Sequence, residues 1–487
     1  MSSKDEKQNR GRNTVPLILV FFLLALFAAF VNIHLDVSSF WAQEETGDDR
    51  PGVLSQIHLR GAASSSSSSP SPVASQATPI QRILIDRATS DVQHPTPIPV
   101  YIWQTKNVKR KNTTAAILHL INDGVSQSPY LKWINEHGND FDANFPLLSP
   151  TNTTNPPFVM VTEARMPLKF DVYCEDLLQE LRRIRKVHNG TAASWPIYIV
   201  YHQDSHQVRT CPSVENYMGH DMVMYSSRSI AVRRTWAKRL NWVDFGTKKN
   251  LTLTRDDPIH GTVSTTVQHI PIVARTDTVE TLQNVLKHHY NLSLADNVES
   301  GTNRSIDVAH FWPLDGKTDV NTVSSNLRTL VSNIVYDLGR AHSLTTFVGL
   351  SGKATAMGRS AVVSDYIETL VKSKIVVVTQ RNGWEDHYRL HEALVSGACV
   401  LTDFMHGLPS GLVNGTSIVI YSSAAELQSQ ILYYLGHETE RLAIAREGRR
   451  VTMSRHRSWH HMEEIIFGRV LSTCSDENKG CPWSVHA

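Results

Sequence analysis

The residues best suited to recognising a charged, hydroxylated ligand lie between Ser373 and Asp403, in SKIVVVTQRNGWEDHYRLHEALVSGACVLTD. The pattern predicts a strand (Ile375–Thr379), a Gly-containing loop (Gln380–Glu385), a helix (Asp386–Ser396) and a second strand (Ala398–Thr402). Gly397 suits the left-handed position that closes a helix. Helical spacing puts Glu385, Arg389 and Glu392 on one stripe and Leu390, Ala393 and Leu394 on the opposite, core-facing one. Residues 381–385 meet a helix N-terminus, where free backbone N–H groups and the positive end of the dipole favour an anion such as a diphosphate. Arg381 and Arg389 are candidates for bidentate phosphate contacts, and Glu392 for accepting hydrogen bonds from ribose hydroxyls. The competing reading makes Glu385, Arg389 and Glu392 an exposed ion-pair ladder worth roughly a few tenths of a kcal/mol.

Other chemically able residues are scattered. Lys317 follows the predicted strand Ile306–Phe311 and is a second phosphate candidate, set against a solvated loop lysine. His310 ends that strand; it reads as a core histidine before an acid–base group. His202 and Asp204 in YHQDSH follow the predicted strand Ile197–Tyr201, where a base deprotonating a hydroxyl belongs; Glu163 and His206 are equivalent in kind. His456, Trp459, His460 and His461 invite a metal hypothesis but read as a His-rich helix end at the surface. Asp140-Phe141-Asp142 has no apolar strand before it and reads as a surface loop.

These residues must be held by a large core. At 487 residues, 41% of them hydrophobic, the chain has room for two or three domains. Its 48 basic and 46 acidic residues leave a net charge of +2, which gives no basic excess for nucleic acid. Val15–Ile33 is apolar and uncharged, about 28 Å of helix at ~1.5 Å per residue. Lys4, Lys7, Arg10 and Arg12 precede it and Asp36, Glu44, Glu45, Asp48 and Asp49 follow, so residues 1–14 are expected in the cytosol and 15–33 as a signal anchor. A cleaved signal peptide is the rival reading. Residues 34–96, with SSSSSSPSP at Ser64–Pro72, are expected to be a disordered stem. Sequons begin at Asn112, Asn152, Asn189, Asn250, Asn291, Asn303 and Asn414, all beyond the anchor. The five cysteines lack metal-site spacing; Cys174 with Cys211 and Cys474 with Cys481 are the plausible disulfides, against five free thiols.

Beyond the stem, short Val/Ile-rich runs alternate with amphipathic ones: 100–103, 158–161, 197–201, 222–225, 270–273, 306–311, 346–350, 375–379, 399–402 and 418–421. This predicts α/β architecture with two doubly wound, Rossmann-type lobes, an N-terminal acceptor lobe over 97–295 and a C-terminal donor lobe over 296–471, then a tail at 472–487.

Residues 365–467 resemble the C-terminal lobe of group 1 glycosyltransferases of the GT-B fold, especially the spore-maturation-type branch. The resemblance rests on WEDHYRLHEALVSGACVLTD and on SIVIYSSAAELQSQILYYLGHETERLAIAREGRRVTMSRHRSW. HYRLHEALVSG is also similar to exostosin-like and ribitol-xylosyltransferase-like enzymes. The resemblance implies a metal-independent glycosyltransferase, with a nucleotide sugar as co-substrate and no other cofactor, acting on a glycan or glycoprotein acceptor. It implies Glu392 on the ribose and Arg389 near the diphosphate. The family's first glutamate is replaced by Trp384, which leaves Glu385 or Asp386 for that role. With the anchor, the expected setting is a type II, single-pass Golgi membrane protein with a luminal catalytic domain. Two alternatives stand: a catalytically inactive luminal glycan-binding or transferase-partner protein, and a single-lobe GT-A enzyme holding Mn²⁺ on the DxD.

Overall fold

Runs of consecutive Val and Ile form strands where helices cover both faces of a sheet, and this governs both halves of the folded chain. A computed structural model of the chain describes residues 77–90, 96–104, 117–134, 158–164, 170–187, 195–201, 210–227, 234–235, 241–242, 251–257, 261–270, 272–293, 304–314, 326–350, 354–355, 358–359, 362–380, 388–405 and 408–472. All of these belong to one compact unit within Ala74–Ala487.

The first half comprises α1 (Pro79–Ala88), β1 (Ile98–Trp103), α2 (Asp123–Gln127), β2 (Leu131–Trp133), β3 (Val159–Ala164), α3 (Phe170–Val187), β4 (Ile197–Tyr201), α4 (Pro212–Met218), β5 (Val223–Ser227), β6 (Leu251–Asp257) and β7 (Gly261–His269). Its sheet runs β2-β1-β3-β4-β5-β7-β6, parallel except for the hairpin between β6 and β7. The second half comprises α5 (Thr276–Val285), β8 (Ile306–His310), α6 (Asn326–His342), β9 (Thr346–Val348), α7 (Ser364–Lys372), β10 (Ser373–Val378), α8 (Tyr388–Val395), β11 (Cys399–Asp403), β12 (Val419–Tyr421), α9 (Ala424–Gly436), α10 (Glu438–Arg455) and α11 (Ser458–Phe467). Its sheet is wholly parallel, β9-β8-β10-β11-β12.

Alternation along β10 shows how both faces are filled. Ile375 and Val377 join the cluster of Val331, Leu338 and Leu427, while Val376 and Val378 join that of Leu370, Leu390 and Leu394. Each fully buried Val, Leu or Ile stabilises the fold by about 1.5–3 kcal/mol.

Several expectations are corrected. Residues 79–88, placed in the disordered stem, form α1: the Thr78 hydroxyl accepts from the Gln81 N–H and the Gln81 side chain accepts from the Thr78 N–H. Leu84, Ile85 and Ala88 then supply the buried stripe that holds the helix down. The expected strand 270–273 is the crossing between sheets, and the strand lies just before it in the polar alternation of Gly261–His269. The boundary expected near 295 follows the helix it should precede, because Val279, Leu282 and Val285 of α5 pack into the second half. Conversely, α11 leaves the lobe expected to end at 471: Met462, Ile465, Ile466 and Phe467 pack with Val100, Val161 and Val200, and the Tyr198 hydroxyl donates to the Ile466 carbonyl at 2.8 Å. Two sheets also set aside the single-lobe alternative.

Gly124 shows how closely α11 is seated: a Cβ there would lie 2.4 Å from Met462 Cγ and 2.7 Å from the Ser458 carbonyl oxygen. Gly124→Ala is therefore expected to destabilise by about 1–3 kcal/mol, although alanine favours a helix. Urea unfolding of the two proteins measures the difference.

Candidate functional site

In the second sheet β8 and β10 are neighbours, but their connections diverge: β8 leads through α6 to β9 on one side, β10 through α8 to β11 on the other. A crevice opens beyond the carboxyl ends of two strands whose connections part in this way, and ligands of doubly wound sheets bind there. A small cavity occupies this place, bounded by His310, Phe311, Val376–Thr379, Arg328 and Arg389.

Two guanidinium groups give the cavity its character. Arg328, from α6, is buried; its Nε donates to the Thr379 carbonyl at 2.9 Å and its guanidinium lies 5.3 Å from the Trp312 ring centroid. Arg389 enters from α8. His310 lies between two carbonyls, Nδ1 2.9 Å from that of Val377 and Nε2 3.2 Å from that of Arg328. Burial, reinforced by Arg328 and Arg389, pushes its pKa down to about 4. At neutral pH the ring is uncharged and held in the core, as the core reading of this residue has it. The charge the cavity presents is that of the arginines, which suits an anion.

Glu392 does not lie on an exposed charged stripe. It is 1% exposed, its carboxylate accepts the Tyr366 hydroxyl at 2.7 Å, and Tyr366 packs edge-on against Phe311 with centroids 4.8 Å apart. The reason is enclosure: from Leu390 to Val395 every side chain of α8 is buried. Glu392 thus stands one layer behind Phe311 at the cavity wall. The exposed-ladder reading fails at this residue.

Helical spacing gives no sign of the fasteners of the sheet's carboxyl edge. Asp403, buried at the end of β11, accepts from the Gln380 N–H at 2.9 Å, and Thr379 Oγ1 lies 3.0 Å from the Tyr421 hydroxyl. Both hold Thr379 and Gln380, the residues that follow β10. An acid ending an apolar strand, as in CVLTD, is the signal in the sequence that points to them.

Arg381, Glu385, Asp386, Lys317, His202, Asp204, His206, Asp140 and Asp142 lie outside the described residues, as do Cys474, Cys481 and the sequon asparagines 112, 152, 189, 250 and 303. Glu163 is buried at the carboxyl end of β3. Cys174 and Cys211 form a disulfide with Cα atoms 5.5 Å apart, and Cys399 is a buried free thiol. Asn291 and Asn414 are exposed. His456, His460 and His461, read as a surface group, are buried. Among the described residues no group of His, Cys, Asp or Glu is arranged to hold a metal ion, and no helix is long and apolar enough to cross a membrane; residues 15–33 lie outside that description.

Residues 345–466, from the edge strand β9 into α11, match the protein-family model described as Glycosyl transferase-like. No curated protein matches the sequence. Among solved structures, the chain is similar to a single-residue variant of S. aureus TarM, in complex with Fondaparinux, alpha-GlcNAc-glycerol and UDP, at 11% identity and a TM-score of 0.31. That similarity covers 66% of this chain but 58% of TarM, less than two thirds of its length. Anabaena Alr3699/HepE in complex with UDP is 10% identical over 77% of this chain and 98% of its own, with a TM-score of 0.32. A glycosyltransferase from Rickettsia africae ESF-5 is 10% identical over 76% and 96%, at 0.34. Likenesses this slight carry no argument about this chain.

The Tyr366–Glu392 bond is directly testable. Hydrogen bonds to buried charged groups contribute about 1.5–3 kcal/mol. A double-mutant cycle of Tyr366→Phe and Glu392→Gln, followed by urea unfolding, is expected to give a coupling of at least about 1 kcal/mol.

Proposed function

We propose that this chain is a metal-independent glycosyltransferase of the GT-B type, which moves a sugar from a nucleotide-sugar donor to a glycan or glycoprotein acceptor. The observation that carries the reading is the arginine-lined cavity at the carboxyl ends of β8 and β10, whose β10 side, with Arg389, falls inside the segment that matches the Glycosyl transferase-like model, while β8 and Arg328 precede it. In this reading the donor diphosphate faces Arg389 and Arg328, whose fixed charges stabilise the negative charge that grows on the leaving diphosphate as the glycosidic bond breaks. Glu392 fixes the cavity wall through Tyr366 and Phe311 and orders the ribose side of the site. Arg381, Glu385, Asp386 and Lys317 are proposed to complete donor recognition, and His202 or Asp204 to deprotonate the acceptor hydroxyl if the configuration inverts.

The setting belongs to the same proposal: a type II Golgi membrane protein anchored by residues 15–33, with the catalytic domain luminal. The charge asymmetry around the apolar run, the sequons beyond it and the Cys174–Cys211 disulfide support this reading.

Two outcomes are expected. A panel of nucleotide sugars titrated calorimetrically into the purified full chain should identify a donor. Arg389→Ala should weaken its binding at least about tenfold while leaving thermal unfolding unchanged. Unaltered affinity would remove the cavity from the donor site. In microsomes, the glycosylated product should resist added protease and shift in mobility after endoglycosidase treatment; cleavage of the intact domain by protease would refute the topology.

A further inference from the structure

Among the described residues the chain passes between the two sheets twice, at residues 269–276 and 455–458, and the crossings are tied together by the Ala274 N–H donating to the His456 carbonyl at 2.6 Å. Four buried histidines surround this tie: His391 on α8, His456 at the end of α10, and His460 and His461 on α11. His456 Nε2 lies 2.9 Å from the Ser410 carbonyl, which requires the proton on that nitrogen. His456 Nδ1 lies 3.2 Å from His461 Nε2, and His461 Nδ1 lies 3.1 Å from the Glu464 carboxylate. His460 Nδ1 accepts from the Arg457 N–H at 3.3 Å, so it is occupied as an acceptor. His391 has no partner on either ring nitrogen, and its ring lies 5.1 Å from that of His456 with the planes tilted by 40°.

The packing leaves little to receive added charge. Within the cluster the histidines act mainly on one another, and Arg457 adds a fixed positive charge beside His460. The nearby acids are committed elsewhere. Asp123 and Glu280 act on Arg457, His119 lies 3.5 Å from Asp123 and 3.9 Å from Asp277, and Asp277 is paired with Arg275. Glu463 accepts from Ser128, Leu471 and Ser472. Arg455 lies over Gly411, next to Ser410. Among the described acids, only Glu464 faces an imidazole of the cluster.

We propose that this cluster is a proton-sensitive latch on the paired crossings: the two crossings stay bonded while His391, His456 and His460 are neutral, and separate cooperatively when the three take up protons. The signs agree. Burial holds His391 and His460 down to about 3 and His456 well below 6.5, whereas an imidazole released to water titrates near 6.5. The separated state therefore binds more protons below pH 6.5, and the latched state is fully favoured only above it. Each histidine shifts the ratio of separated to latched forms by about tenfold per pH unit, and three acting together by up to about a thousandfold. A modest closing preference is thus overcome in mildly acidic solution, well above the pH at which each buried ring would titrate alone. The latch does not depend on what the cavity binds.

Hydrogen exchange of the full chain between about pH 7 and 4.5, corrected for the intrinsic rate, tests this. Expected is loss of protection at the Ala274 amide and through 452–461, with about three protons taken up per opening, while β10 and β11 stay protected. His391→Phe removes no hydrogen bond and should lower the uptake to about two protons, moving the transition to more acid pH. Protection at Ala274 that persists to about pH 4.5, or that vanishes together with β10 and β11, overturns the proposal. Should His391→Phe fail to fold, the pH series of the native chain decides alone.

Discussion

The parallel pairing of β8 with β10 is the constraint on which the candidate site depends. Two adjacent strands must send their connections to opposite sides of the sheet, so their carboxyl ends cannot both be covered, and the backbone there opens into a crevice. What fills the crevice follows from the elements that flank it. Helix α6 brings Arg328 and helix α8 brings Arg389 to the cavity wall. His310, at the same strand end, is kept uncharged by burial and by those arginines.

A second layer stiffens the first. Tyr366 joins α7 to α8 through Glu392 and supports Phe311, while Asp403 and Tyr421 fasten the residues just beyond β10. Such supports set how closely a bound anion can be held, because a site on loose walls loses the orientation on which transfer depends. The two halves are linked through α11, whose apolar face completes the core of the first sheet although the helix follows directly on the second. Movement of one half against the other must therefore act on the crossings at 269–276 and 455–458.

Much of the fold is legible in the sequence because strands buried on both faces declare themselves as unbroken apolar runs. IYIVY is β4, KIVVV falls within β10 and CVLT within β11. Legibility ends where a local signal competes with a distant partner. GTVSTTVQH is too polar to read as a strand and gains its place from a hairpin with β6. Helices α5 and α11 carry ordinary amphipathic patterns that say nothing about which sheet receives them. At the site, Arg389 is legible from helical spacing, whereas Arg328 lies about sixty residues earlier and reaches the cavity only because the sheet folds α6 over it. Glu392 reads as part of a water-facing stripe because periodicity counts faces and does not reveal that α8 is enclosed on every side.

Photo-crosslinking tests the central claim most directly. An azido-nucleotide sugar irradiated with the full chain, followed by proteolysis and mass spectrometry, should label peptides from 304–314 and 373–403, with labelling abolished by excess unmodified donor. Competable labelling confined to the first sheet, or none at β8 and β10, would contradict the account.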